Sequence, residues 1–190
     1  MITVEPIRDR QKIKEIEAVL RDREDSKGMA MYLLFEVGIY LARRVSDMIV
    51  MRVGDLRGKD VFIIREKKTK KRIELPIPEE LRRIVNQRLK VAANDDFIFP
   101  SRQRDPKGRV THISRKTAYN YLKDIKLLGD ISFPFACHSL RKTFGYHYYT
   151  KTHDIAMLMD LFNHSSERIT LRYIGIDSDA KRKALSKWKY

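Results

Sequence analysis

The run Met29-Ala30-Met31-Tyr32-Leu33-Leu34-Phe35-Glu36-Val37-Gly38-Ile39-Tyr40-Leu41-Ala42 decides the fold class. Only Glu36 interrupts it with charge. Its apolar side chains lie around most of a helix circumference rather than along one stripe, the pattern of a buried helix. Upstream, Ile13, Ile16, Val19 and Leu20 recur at helical spacing, and Gly28 breaks the pattern. Residues 2–7 read as an extended lead-in, with Pro6 preventing a helix there. Downstream, Val45, Met48, Ile49 and Val53 predict a short helix. Residues 61–64 and 72–77 are apolar or alternating and read as two strands, with a basic turn between them. Pro78-Glu79-Glu80 opens a helix to about residue 93, with the proline and the acids in its first turn. Phe97-Ile98-Phe99 is a short strand or extended piece ended by Pro100. Ser114 is the N-cap of a helix through Leu127 that Gly129 ends. Further helices are expected over residues 139–150, 154–163, 167–173 and 179–189. The fold class is mainly α with one small antiparallel β-sheet (α+β).

The 190 residues carry 40 Lys+Arg against 25 Asp+Glu, a net charge of +15, and 43% are hydrophobic. That apolar fraction builds a core and excludes a disordered basic tail. The longest apolar run is too short for a membrane span. No signal peptide is visible. One cysteine, Cys137, excludes a disulfide within the chain and most cysteine-based zinc sites. A cytosolic domain that binds a polyanion is expected, and nucleic acid is the commonest such partner. Two clusters concentrate the charge. Residues 65–72 hold Arg65, Lys67, Lys68, Lys70, Lys71 and Arg72 with one acid, and residues 101–109 hold Arg102, Arg104, Lys107 and Arg109 with one acid. Pro106 and Gly108 mark the second cluster as a loop. Arg115 follows at the next helix start. Charge on loops and hairpins lies where a nucleic-acid backbone can pass.

Four segments carry chemistry. In His138-Ser139-Leu140-Arg141, positions i and i+3 share a helix face, so an imidazole and a guanidinium can grip one phosphate. A surface His and a surface Arg fit the same tetrad. Asn163-His164-Ser165-Ser166 precedes Ile169-Thr170-Leu171-Arg172-Tyr173. On one straight helix, His164 and Tyr173 would stand about 13.5 Å apart, so they reach a common atom only if the chain bends between them. A capped helix with a core tyrosine also fits. In Arg43-Arg44-Val45-Ser46-Asp47, an arginine beside so much apolar sequence needs a partner. Either Asp47 or a bound phosphate could serve. In the lysine run, a lysine whose neighbours lower its pKa can protonate a leaving oxygen, although such runs also serve as plain solvated patches.

The order of these segments resembles the tyrosine recombinases, the phage integrase family. Arg44-Val45-Ser46-Asp47-Met48 is similar to the family's Arg-Ile-Ser-Glu-Leu segment. Lys68-Thr69-Lys70-Lys71-Arg72-Ile73-Glu74-Leu75-Pro76 resembles its lysine hairpin. His138-Ser139-Leu140-Arg141 matches its His-x-Leu-Arg box, Asn163-His164-Ser165 resembles its Gly-His-Ser, and Thr170-Leu171-Arg172-Tyr173 resembles its nucleophile segment. Three departures stand out: Asp47 for the usual Glu, Asn163 for the usual Gly, and Leu41-Ala42 for the usual Thr-Gly.

The resemblance implies the tyrosine recombinase catalytic-domain fold over residues 29–175, a lead-in over 1–28, and a C-terminal tail helix over 176–190. Family members usually carry a further N-terminal helical domain, so the chain is expected to be either a minimal form or a fragment. The implied catalytic set is Arg44, Lys68, His138, Arg141, His164 and Tyr173. Tyr173 is the nucleophile, and Lys68 the general acid, with Lys67 or Lys70 as alternatives. Lys67, Lys70, Lys71, Arg72, Arg102, Arg104, Lys107, Arg109 and Arg115 are expected to bind DNA. No metal or other cofactor is implied. The implied partners are double-stranded DNA and, on DNA, three further copies of the chain. Leu185 and Trp188 are suited either to a neighbour's groove or to folding back. Two other readings stay open: a type IB topoisomerase, and a DNA-binding module without catalysis.

Overall fold

The computed structural model describes residues 3–65 and 72–186. It is mostly helical with two small antiparallel sheets. The elements run α1 (Arg10–Arg21), α2 (Ser26–Leu41), α3 (Val45–Met48), β1 (Val61–Arg65), β2 (Arg72–Pro76), α4 (Glu79–Arg88), β3 (Pro100–Arg104), β4 (Val110–His112), α5 (Arg115–Leu128), α6 (Cys137–Thr152), α7 (Ile155–Phe162), α8 (Glu167–Ile174) and α9 (Ile176–Ser186).

The apolar run forms α2, the centre of the molecule. Asp25 caps its start by accepting from the amides of Lys27 and Gly28. Most of the helix is buried, and α1, α4, α5 and α6 pack around it. Glu36 is buried in it, and burial pushes its carboxyl up to about 8, so it is mostly neutral at pH 7. The core includes Ile7, Ile16 and Leu20 near the start of the chain and reaches Ile174 in α8. Residues 3–28 therefore share their core with the helices that follow.

Two close approaches set the position of α6. A Cβ at Gly38 in α2 would lie 2.4 Å from Leu140 Cδ1, and one at Gly145 in α6 would lie 2.6 Å from Ile174 and 2.8 Å from Phe162. Glycine at both points lets α6 lie between α2 on one side and α7–α8 on the other.

The sequence predicts one sheet, and there are two among the described residues. β1 and β2 form the expected hairpin, in register from Val61↔Pro76 to Arg65↔Arg72. The second cluster is a hairpin as well, not a simple loop: β3 pairs with β4, with Pro100 opposite His112 and Arg104 opposite Val110. Its strands were hidden because β3 exposes nearly all its side chains, so no apolar alternation marks it. The Asp105 carboxylate closes the turn by accepting from the amides of Lys107 and Arg109. Other differences are at element ends. The helix expected over residues 45–53 is α3 followed by a separate 3-10 turn at Val53–Asp55, and α4 stops at Arg88. α6 begins two residues early, at Cys137.

Candidate active site

The site lies where the end of α2, the first turns of α6 and the α7–α8 corner meet. Its first part follows from one residue. Ala42 ends α2 in the left-handed region, at φ 52° and ψ 32°. This turns the chain so that Arg43 and Arg44 point into different surroundings. Arg43 is 1% exposed, and its guanidinium donates to the carbonyls of Leu41 (2.9 Å) and Leu161 (3.2 Å). It therefore ties the end of α2 to the end of α7. Arg44 is partly buried and sits at the N-terminus of α3. The arginine that the apolar neighbourhood swallows is Arg43, and these main-chain carbonyls are among its partners. Asp47 is also buried.

The second part is the N-terminal half of α6. His138 and Arg141 stand one turn apart, as their spacing predicts. Arg141 is 2% exposed and donates to the Ala42 carbonyl at 2.7 Å. Its guanidinium carbon lies 4.4 Å from the centroid of the Phe162 ring, over the ring. The left-handed turn at Ala42 thus aims a carbonyl at Arg141, and Arg141 is locked before any substrate arrives.

The third part is the bend that His164 and Tyr173 require. α7 stops at Phe162, Asn163 adopts the left-handed region at φ 53°, and α8 starts only after the Ser166 cap. The two rings are consequently 5.0 Å apart, centroid to centroid, in place of the length of a helix. His164 Nδ1 lies 3.1 Å from Thr170 Oγ1, whose hydroxyl donates to the Ser166 carbonyl. Thr170 therefore accepts from Nδ1–H, leaving Nε2 for the site. The Tyr173 hydroxyl lies 3.2 Å from His138 Nδ1 and is hydrogen-bonded to Arg141.

Tyr173 and His164 are both shifted. Burial pushes the Tyr173 phenol above its ordinary range, while Arg141 and Arg44 pull it down. Burial, then Arg141 and Arg44, hold His164 below the usual histidine range, so it is neutral near pH 7. A neutral imidazole beside a partly buried phenol, with two guanidiniums acting on both, can receive a tetrahedral anion and supply an oxygen nucleophile to it.

Of the residues singled out in the sequence, the structure brings His138, Arg141, His164 and Tyr173 together, and Arg44 is close enough to act on both Tyr173 and His164. Lys67, Lys68, Lys70 and Lys71 lie outside the described residues. Arg72 is exposed on β2 and paired with Glu74 at 2.7 Å. Arg102 and Arg104 are exposed along β3, Lys107 and Arg109 lie at or beside its turn, and Arg115 is exposed at the start of α5. Arg109 is held by Asp105, Nε to Oδ2 at 2.8 Å. Leu185 on α9 is 73% exposed, and Trp188 lies outside the described residues. Arg43, Lys142 and Thr170 also belong to the site's framework. For Arg43 and Thr170 the available signal was adjacency to a motif residue in the same segment.

Comparison with known proteins identifies the family. The family model described as "Phage integrase family" matches residues 9–179. The probable integrase/recombinase YoeC of Bacillus subtilis (strain 168) is 40% identical over 185 residues, spanning 97% of this chain and 96% of its own length. The crystal structure of XerA recombinase superposes with a TM-score of 0.71 at 18% identity, covering 98% of this chain and 67% of that one. The XerH site-specific recombinase bound to palindromic difH, a post-cleavage complex, gives a TM-score of 0.70 at 15% identity and covers 98% of this chain and 54% of that one. At such identities the solved structures establish the fold. No described helix is long and apolar enough to cross a membrane.

Proposed function

The chain belongs to the phage integrase family, tyrosine recombinases that break and rejoin DNA, and on that premise we propose that it is a site-specific DNA recombinase working through a 3′-phosphotyrosyl intermediate. The Tyr173 oxygen attacks the scissile phosphorus. The bond between phosphorus and tyrosine forms as the bond to the 5′ oxygen breaks, and the DNA strand leaves as a 5′-hydroxyl. The phosphodiester energy is retained in the covalent link, so rejoining by the reverse attack needs no ATP.

His138 receives the phenol proton. Arg141 and Arg44 bind the non-bridging oxygens and offset the charge that grows in the transition state. His164, oriented by Thr170, supports the same phosphate. Lys68, between β1 and β2 in the sequence, delivers a proton to the 5′ oxygen, with Lys67 or Lys70 as the alternative donor. These cations hold the place that metal ions take in other phosphoryl-transfer enzymes. Lys67, Lys70, Lys71, Arg72, Arg102, Arg104, Lys107, Arg109 and Arg115 track the duplex backbone. On DNA, four copies assemble and exchange their C-terminal segments through α9. The protein acts in the cytoplasm.

The observation that carries this reading is the 3.2 Å approach of the Tyr173 oxygen to His138 Nδ1, with Arg141 and Arg44 acting on the same phenol. The test is a duplex nicked beside the cleavage site, which traps the covalent adduct. Wild type should give a shifted band on a denaturing gel and Tyr173→Phe none. A band that survives in the Phe variant would show another nucleophile. Resolution of a synthetic four-way junction separates recombination from simple relaxation of supercoils.

A further inference from the structure

Lys142 follows Arg141 in α6 and is not among the residues assigned to the phosphate. It is 6% exposed, unusual for a lysine. Its Nζ donates to the Val4 carbonyl at 2.8 Å and lies over the Tyr173 ring, 5.2 Å from the centroid. Positions 138, 141 and 142 share one face of α6, since they stand at i, i+3 and i+4. That face presents an imidazole to the Tyr173 oxygen and an ammonium to the Tyr173 ring.

We propose that Lys142 is a positioning residue for the nucleophile: anchored on the Val4 carbonyl, its ammonium holds the face of the Tyr173 ring while His138 meets the oxygen at the ring's end. This rests on the reading of Tyr173 as the nucleophile. A cation over an aromatic face is attracted by the ring's negative quadrupole. When the phenol loses its proton, negative charge spreads into the ring and the attraction grows. Lys142 therefore favours the reactive form more than the resting one without touching the oxygen or the phosphate.

The anchor is itself anchored. The amide of Ile7 donates to Thr143 Oγ1 at 2.9 Å, and His147 Nε2 lies 2.8 Å from the Ile7 carbonyl. Arg8 Nε bonds both oxygens of Asp179, at 2.9 and 3.0 Å, in the helix directly after α8. Residues 4–8 thus strap α6 to the start of α9, with Tyr173 between them. Lys142 also faces Glu5 and Arg8 of this strap. Tyr173 faces His138 and Arg141 of α6, His164 ahead of α8, and Arg44 ahead of α3.

The experiment is the single-turnover rate of adduct formation on the nicked duplex, followed from neutral to alkaline pH with the full chain. Such a rate does not depend on the fraction of protein folded. Lys142→Gln keeps a donor for Val4 and loses the charge. It should form adduct about 10-fold more slowly, the size of a desolvated cation–π contact, with the alkaline limb moved up by about one pH unit. Duplex affinity should stay within about twofold, and Lys142→Arg, which keeps both charge and donor, should restore the wild-type limb. A Gln variant with the wild-type limb, whatever its rate, overturns the proposal. If Lys142→Gln gives no cooperative melt, Lys142→Met replaces it, and an Arg variant that loses the wild-type limb overturns the proposal independently. A wild-type chain that forms no adduct would instead sink the reading of Tyr173 itself.

Discussion

The Arg43–Arg44 junction and the β3–β4 hairpin are both rich in arginine, yet they hold their charge in opposite ways. At the junction, Arg43 is buried on main-chain carbonyls, and Arg141 is buried against Ala42 and Phe162. Each guanidinium has its position set by the backbone of a neighbouring element. On the hairpin, Arg102 and Arg104 are exposed on a strand that buries almost nothing. A charge fixed to within a fraction of an ångström can stabilise a transition state, because no reorganisation is needed when charge develops. A charge on a solvated strand can only neutralise a phosphate, and salt competes with it. The difference separates rate from affinity, and it can be tested from either side.

The largest effect is expected at Arg141. Arg141→Ala should lower the single-turnover rate of adduct formation by about 10²–10³, the usual loss on removing one donor to a developing anion. Its duplex affinity should change by only a few fold, since one contact among many is lost. A variant that binds far more weakly but reacts normally once bound would break the distinction between the two regions.

Much of this site is legible in the amino-acid sequence. The spacing of His138 and Arg141 places them on one helix face. The distance problem between His164 and Tyr173 demands a bend, and Asn163 with the Ser166 cap supplies it. The two family glycines that this chain replaces, with Ala42 and Asn163, both fall at left-handed positions, which explains why glycine is usual there. The features that sequence does not reveal are hidden for physical reasons. Nothing local says which of two adjacent arginines is buried, because the backbone turn at Ala42 decides it. Lys142 is invisible because its partner, Val4, stands 138 positions earlier in the chain. The second hairpin lacks any buried stripe for periodicity to detect.

Arg43 sharpens the comparison, because it is as deeply buried as Arg141 but ties α2 to α7, whereas Arg141 also meets the Tyr173 hydroxyl. Arg43→Ala leaves the Leu41 and Leu161 carbonyls without this donor and opens a void beneath the site. It should cost about 3 kcal/mol of folding stability in a urea titration, within the usual range for breaking a buried charged network. Arg44→Ala, at a partly buried position, should cost less than about 1 kcal/mol in the same titration while still slowing the chemistry. Equal losses of stability would mean that the turn at Ala42 does not divide the two roles.

The smallest effects belong to the hairpin, and there a further distinction appears. Arg102→Ala and Arg104→Ala should each weaken duplex binding a few fold and reduce the slope of log affinity against log salt by about 1. Adduct formation at saturating DNA should not change. Arg109→Ala should change the slope by less than either. Its guanidinium is engaged by Asp105, whose carboxyl is held below the usual range by hydrogen bonds from the Arg109 backbone and side chain and from the Lys107 backbone. To reach a phosphate it must first leave that carboxylate, so part of what DNA offers only replaces what the turn already supplies. If Arg109 proved as important to the salt slope as Arg102, the turn would have to open on DNA. The hairpin would then be a second region, like the junction, where the backbone decides what an arginine does.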